Sequence, residues 1–319
     1  MRKTSNTEHI EGYLYQHDLS IKQVGNEQSP NYGKNYIAGT VEICVDEEGF
    51  NIIPIHYTYV TETTKSGGEN RTYTALKQII DNGKTWVADG KELAFMVKAD
   101  TAFALNEFFQ NEDLVSLKRN EGGFLSIVSH ISNELRARHT FDLDLFIQKV
   151  VHVDENQETG ATEHDSVRGF AFNFKNEILP AEFIVRYKPA MDWFEGLDLS
   201  QPIFTRVRGE INNNSISVTK ESTSAWGETI VDKIERKVKE WEITWVNGDF
   251  YDFSEDSSDL KPSELQEAMQ NREVKLAETK KRAEDYKNSK AVAASAPAGP
   301  TATNIYGNTS IPTQAFKYF

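Results

Sequence analysis

At 319 residues the chain is long enough to bury a full core and form two domains, and its 38% apolar and 26% charged content is that of a globular rather than a disordered protein. No run approaches the roughly 18 apolar residues that a membrane span needs, no apolar h-region follows Met1-Arg-Lys-Thr-Ser-Asn6, and Cys44, the only cysteine, leaves no internal disulfide or cysteine-based zinc site. A net charge of −14, from 49 acidic against 35 basic residues, argues against a surface that binds nucleic acid everywhere.

From the N-terminus, residues 10–60 read as strands. Ile10-Glu-Gly-Tyr13-Leu-Tyr15 alternates, and the runs after Tyr36 and Phe50 are rich in Val, Ile, Thr and Tyr at period two. Cys44 alternates with Val41, Ile43 and Val45 and reads as a buried, inert thiol. Asp46-Glu-Glu-Gly49 is a hairpin turn, and Thr64–Asn70 a Gly-containing loop. Thr72–Asp81 has apolar residues 76, 79 and 80 at helical spacing, closed by Asn82-Gly83. Thr101–Gln110 reads as a second short helix with Phe103, Leu105, Phe108 and Phe109 on its apolar side, and Ser129–Arg138 as a connector. Phe141–Val153 is a long alternating strand, Asp154–Asp165 a polar loop, Glu228–Glu240 a candidate helix, and Trp241–Val246 a final strand. Ser263–Lys287 is a charged helix whose apolar stripe (Leu265, Met269, Val274, Leu276) is thin, so it packs weakly or leans on a partner chain. Ala291–Thr303 is an Ala/Pro/Gly/Thr linker with little to bury.

One pattern occurs twice, over Tyr36–Ile127 and Val167–Ile216. Gly39 and Gly169 lie in alternating strands that run into Pro54 and Pro180. Each copy then has an aromatic pair (Phe108-Phe109; Trp193-Phe194) and a basic strand ending in glycine (Leu114–Gly122; Ile203–Gly209). A hairpin followed by a cationic strand beside a glycine turn is what a small OB-type barrel needs. The expectation is a mainly β chain with inserted helices: two tandem OB-like barrels meeting near 139–142, a charged helix and a flexible tail. The units are 1–139, 140–256, 257–290 and 291–319, the last ending in the aromatic tip Phe316, Tyr318, Phe319. Such a tip either docks in a partner's pocket or folds back on its own chain.

Catalytic signatures are missing. There is no phosphate loop, dinucleotide fingerprint or nucleophile elbow. His152 with Asp154, and His164 with Asp165, join Glu163 near one loop without metal-ligand spacing, so a solvated loop is favoured over a metal. Asp142 and Asp144 share a strand face but lack a third carboxylate. The expectation is therefore no enzyme, no metal and no cofactor. What remains is aromatics among cations, while the acids crowd into loops (Asp46–Glu48, Asp154–Glu158, Glu255-Asp256). A base stacked on an exposed ring contributes about 1–3 kcal/mol without sequence readout, and cations beside it take the phosphates. The same alternating aromatics would equally make a core.

Tyr57-Thr-Tyr59-Val-Thr-Glu-Thr-Thr-Lys65, Thr72-Tyr-Thr-Ala-Leu76 and Leu114-Val-Ser-Leu-Lys118-Arg119-Asn-Glu-Gly122-Gly123-Phe124 resemble segments of the first barrel of bacteriophage single-stranded DNA-binding proteins, over residues 10–250. The resemblance implies a non-enzymatic coat for single-stranded DNA in phage replication or recombination, acting in the host cytoplasm. It implies Tyr57, Tyr59, Phe124, Tyr187 and Trp193 as stackers, and Lys118, Arg119, Arg186, Arg206 and Arg208 on phosphates. Such proteins commonly end in an acidic tail that recruits replication partners, whereas Gln314–Phe319 is aromatic with one lysine. The alternative is a protein–protein or structural component of a phage assembly, with the barrels as scaffold.

Overall fold

The computed structural model describes residues 4–110, 112–156, 162–223, 225–227 and 229–295, with side chains described throughout except at 214–222, 229–237 and 288–295. The aromatic tip Phe316, Tyr318 and Phe319 lies outside the described residues.

Strands dominate. The first half contributes β1 (Asn6–His17), β2 (Ser20–Gln23), β3 (Asn35–Cys44), β4 (Ile52–Thr61), β5 (Met96–Gln110) and β6 (Asp113–Val128), with helices α1 (Arg71–Asn82) and α2 (Trp86–Asp89) between β4 and β5. In the second half come β7 (His139–Val153), β8 (His164–Phe172), β9 (Ile178–Val185), α3 (Lys188–Glu195), β10 (Ile203–Thr223), β11 (Thr229–Val246) and α4 (Pro262–Ser295).

Pairing closes two five-stranded rings. The first runs β1-β3-β4-β6-β5 and returns to β1; the second runs β7-β8-β9-β11-β10 and returns to β7. Counting strands within each ring in chain order, both read 1-2-3-5-4-1. Each has one parallel contact, between its third and fifth strands, and a helix between its third and fourth. This is the connectivity of the OB barrel. The two rings also share one sheet, because β1 pairs antiparallel with β7 over Asn6–Ile10 and His139–Leu143. Residues 139–142, where a boundary between barrels is expected, are thus hydrogen-bonded into β1.

Packing follows the alternation. Ile37, Val41, Ile43, Ile53, Ile55, Val97, Ala99 and Phe103 fill the first ring; Leu143, Leu145, Val167, Phe183, Val207 and Ile243 fill the second, in one continuous core. Trp241 of β11 is buried between the rings. Its edge meets Phe103 at 5.5 Å, and its indole N–H donates to the buried Glu8 carboxylate of β1 at 2.9 Å. A second cluster lies on the outer side of the second ring, where Phe170, Phe172, Ile178 and Phe204 are covered by Leu260 and Leu265.

Local chemistry explains the turns. Asp46 is buried, and its carboxylate accepts the N–H groups of Glu48 (3.0 Å), Phe50 (3.0 Å) and Asn51, which fixes the β3–β4 hairpin. Asn70 caps α1 by accepting from Thr72 N–H, and Gly83 N–H donates to Ile79 O. At the start of α4, which begins at Pro262, the Glu264 carboxylate accepts the Lys261 N–H at 3.1 Å.

Two expected helices are strands. Residues 101–110 complete β5 and pair with β6 as far as Gln110↔Asp113, while residues 229–240 of the second belong to β11, paired with β10 as far as Thr223↔Thr229. In 101–110, Leu105 and Phe109 are four residues apart, which is also two whole strand periods, so either structure satisfies that spacing.

Candidate nucleic-acid interface

In an OB barrel the ligand face is built on the second and third strands and the loops beside them. In the first ring these are β3 and β4, extended by β2. Lys22 of β2 stands directly opposite Tyr36 of β3, and Tyr36 opposite Thr61 of β4. Directly paired residues share a sheet face. The Tyr36 and Tyr59 rings meet there at 4.7 Å, tilted 40°. Tyr59 and Lys22 are exposed, and Lys22 makes no ion pair among the described residues. A cation thus stands beside two adjoining aromatic rings.

Tyr57 does not join them. It is 3% exposed and packed in the core, and its hydroxyl has no partner among the described residues. Burial pushes its pKa up. Between the pairs Ile37↔Val60 and Gly39↔Tyr57, β4 spends three residues against two of β3, and this extra residue interrupts the alternation of β4, leaving Tyr57 inward and Tyr59 outward. Gly122 makes room for it: a Cβ there would sit 2.3 Å from the Tyr57 ring.

The cations expected on phosphates are engaged within the protein. Lys118 sits at the junction of the rings, donating to Glu182 O at 2.7 Å with its ammonium 5.3 Å from the Trp241 ring centre, and burial lowers its pKa. Arg119 reaches Glu121 at 3.4 Å. Arg186 is held by Glu240 at 2.6 Å and Glu242 at 2.8 Å. Arg206 grips Asp142 through two bonds of 2.5 and 2.8 Å, and Arg208 shares that carboxylate at 2.9 Å. As phosphate contacts these five would first have to give up their present partners.

The remaining expected stackers divide. Phe124 is exposed on β6 but stands opposite Asp100, an acid unfavourable to a phosphate. Tyr187, just before α3, is exposed. Trp193 packs edge-on against Phe194 at 4.9 Å and against Phe250 at 6.1 Å, so it belongs mainly to the core. Two tryptophans absent from the expected set are open. Trp226, in the turn between β10 and β11, is 88% exposed, and Trp245 of β11 carries the Arg208 guanidinium 4.7 Å above its ring. Lys22 and Tyr36 were also missed, because Ser20–Gln23 is too short to show a period and the partner of Tyr36 lies on another strand.

Asp142 and Asp144 hold structure instead of an ion. Asp142 takes the two arginines, and Asp144 accepts from Ser5 N–H at 2.7 Å and Tyr251 O–H at 3.0 Å. His152 lies with Asp165 (3.0 Å), Glu195 (3.4 Å), Asp154 (3.5 Å) and Glu163 (3.7 Å). No helix among the described residues is long and apolar enough to cross a membrane.

A family model described as YorF matches residues 6–282. No curated protein matches the sequence. Among solved structures, a deletion mutant of the single-stranded DNA binding protein from Thermus aquaticus is similar at 10% identity and a TM-score of 0.45, covering 81% of this chain and 100% of that one. The wild-type protein from the same organism is similar at 10% identity and a TM-score of 0.45, covering 79% of this chain and 96% of that one.

Proposed function

We propose that this chain, which belongs to the YorF family, is a non-enzymatic binder of single-stranded DNA with little sequence preference. Its barrel units are residues 1–139 and 140–256, and it acts in phage replication or recombination in the host cytoplasm. The observation that carries the reading is the Lys22–Tyr36–Tyr59 face on the second and third strands of the first ring. Bases stack on the tyrosines and Lys22 takes a phosphate. Tyr187, just before α3, and Trp226, in the β10–β11 turn beyond the residues that close the second ring, are further stacking positions. The acidic body, at −14, repels a polyanion away from such patches and confines contact to them.

Fluorescence anisotropy with labelled oligo-dT at two salt concentrations tests it. Binding at low salt in the micromolar range is expected, with a log–log salt slope of about −0.7 for each phosphate neutralised on a single strand. No binding under those conditions would remove the reading. A protein–protein role in a phage assembly would then stand, favoured by Phe108, Leu114 and Leu117, which are exposed on the β5–β6 arm.

A further inference from the structure

We propose that His152, Asp165 and Glu195 form a binding site for a divalent transition-metal cation, Zn²⁺ or Mn²⁺, at one end of the second ring. The site is built on ordered elements. His152 and Asp165 are directly paired residues of β7 and β8, and Glu195 closes α3. One ligand atom from each lies within 4.8 Å of the others.

The geometry suits a metal better than a hydrogen bond alone. Metal–ligand bonds of about 2.1 Å place neighbouring ligand atoms about 3.0 Å apart in an octahedron and about 3.4 Å apart in a tetrahedron. His152 Nδ1 lies 3.0 Å from Asp165 Oδ1 and 3.4 Å from Glu195 Oε1. Two carboxylates therefore face one ring nitrogen, which can donate at most one hydrogen bond. Asp154 and Glu163 approach Nε2 at 3.5 and 3.7 Å. Lys188, 3.8 Å from Glu163, is the cation that offsets part of this charge.

A second observation is independent of the clustering. The Asp165 side chain is 0% exposed, and its Oδ2 is buried with no hydrogen-bond partner among the described residues. A buried carboxylate oxygen left unsatisfied is costly, and a bound cation removes that cost. One imidazole with two carboxylates is a mixed nitrogen–oxygen set. It suits zinc or manganese over the all-oxygen shells that calcium and magnesium favour. The consequence is local: a metal here ties the paired strands β7 and β8 to the end of α3.

The test is calorimetric titration of the chelator-treated full-length protein with ZnCl₂ and with MnCl₂, beside thermal unfolding with and without each metal. One equivalent bound per chain and a raised Tm are expected with at least one of them. His152→Gln and Glu195→Gln, at partly exposed positions, should each weaken binding by at least about tenfold and abolish the Tm rise. Asp81→Asn, on α1, should leave both unchanged. No saturable binding of either metal would overturn the proposal. So would binding unaltered in both variants, or equal binding of Mg²⁺ or Ca²⁺. None of these readouts involves DNA, so they stand or fall separately from the proposed function.

Discussion

The two rings share one connectivity and differ in what covers their outer surfaces. In β8 of the second ring, Val167 and Ala171 point into the core, while Phe170 and Phe172 on the other side are buried beneath Leu260 and Leu265 from the C-terminal segment. That segment runs on as α4, anchored by Arg272 to Glu107 of β5 and by Lys275 to Glu177 at 3.1 Å. In β3 of the first ring, Ile37 and Val41 point inward, and Tyr36 keeps its ring beside Tyr59 and directly opposite Lys22. Duplicate frames have thus been put to different uses. One outer face has become core, and on the other Tyr59 and Lys22 stay exposed. The family of aromatics that reads alike in sequence is divided by where the chain goes after its last strand.

Substitution should break this comparison most sharply at Phe172. Phe172→Ala removes a fully buried ring and should destabilise the fold by about 3–5 kcal/mol in chemical denaturation. Tyr59→Ala, on the first ring, should change stability by less than about 0.5 kcal/mol. Equal losses at the two positions would show that the first face is also core.

Next in size is the pH dependence of the seam. Burial raises Glu8 from 4.5 to about 7 and lowers Lys239 from 10.5 to about 8. The folded state therefore holds a proton on Glu8 that the unfolded chain releases, so this contribution is present below pH 4.5 and is lost as pH rises to about 7. Lys239 acts in the opposite direction. The unfolded chain binds its proton between about 8 and 10.5, so stability is regained as pH rises through that window. Together they predict a trough near pH 7–8, up to roughly 3 kcal/mol deep at about 1.4 kcal/mol per pKa unit. Denaturation of Glu8→Gln across this range should flatten the acidic limb only.

Smaller effects concern the ligand. Tyr59→Ala should weaken oligo-dT binding by about 1–3 kcal/mol and leave the salt slope nearly unchanged. Lys22→Ala should flatten that slope by about 0.7, one phosphate's worth. Arg206→Ala, whose guanidinium is already engaged by Asp142, should lower stability and leave the slope as it is. A flattened slope with Arg206→Ala would move the interface to the second ring.

The duplicated hairpins were legible because they are local. Gly39 and Gly169 do fall on the second strand of their rings, and Pro54 and Pro180 on the third. The later halves of the repeat do not correspond. Leu114–Gly122 is in the fifth strand of its ring and Ile203–Gly209 in the fourth, while Phe108-Phe109 lie on a strand and Trp193-Phe194 on a helix. Basic character beside a glycine is shared by many strands and does not identify which one it is.

By itself, the sequence determined the strand-rich body, helix α1, the turn at Asp46 and the charged helix after residue 257, because period, caps and turn residues act over a few neighbours. Tertiary structure alone decided which cations are spent inside the fold, which aromatics are open and which acids meet His152. Arg206 finds Asp142 64 residues away, and Trp241 finds Glu8 across 233. An extra residue in β4, opposite β3, put Tyr57 inward and Tyr59 outward. Such outcomes depend on ring closure and strand register, and these are set by partners distant in the chain that no local window contains.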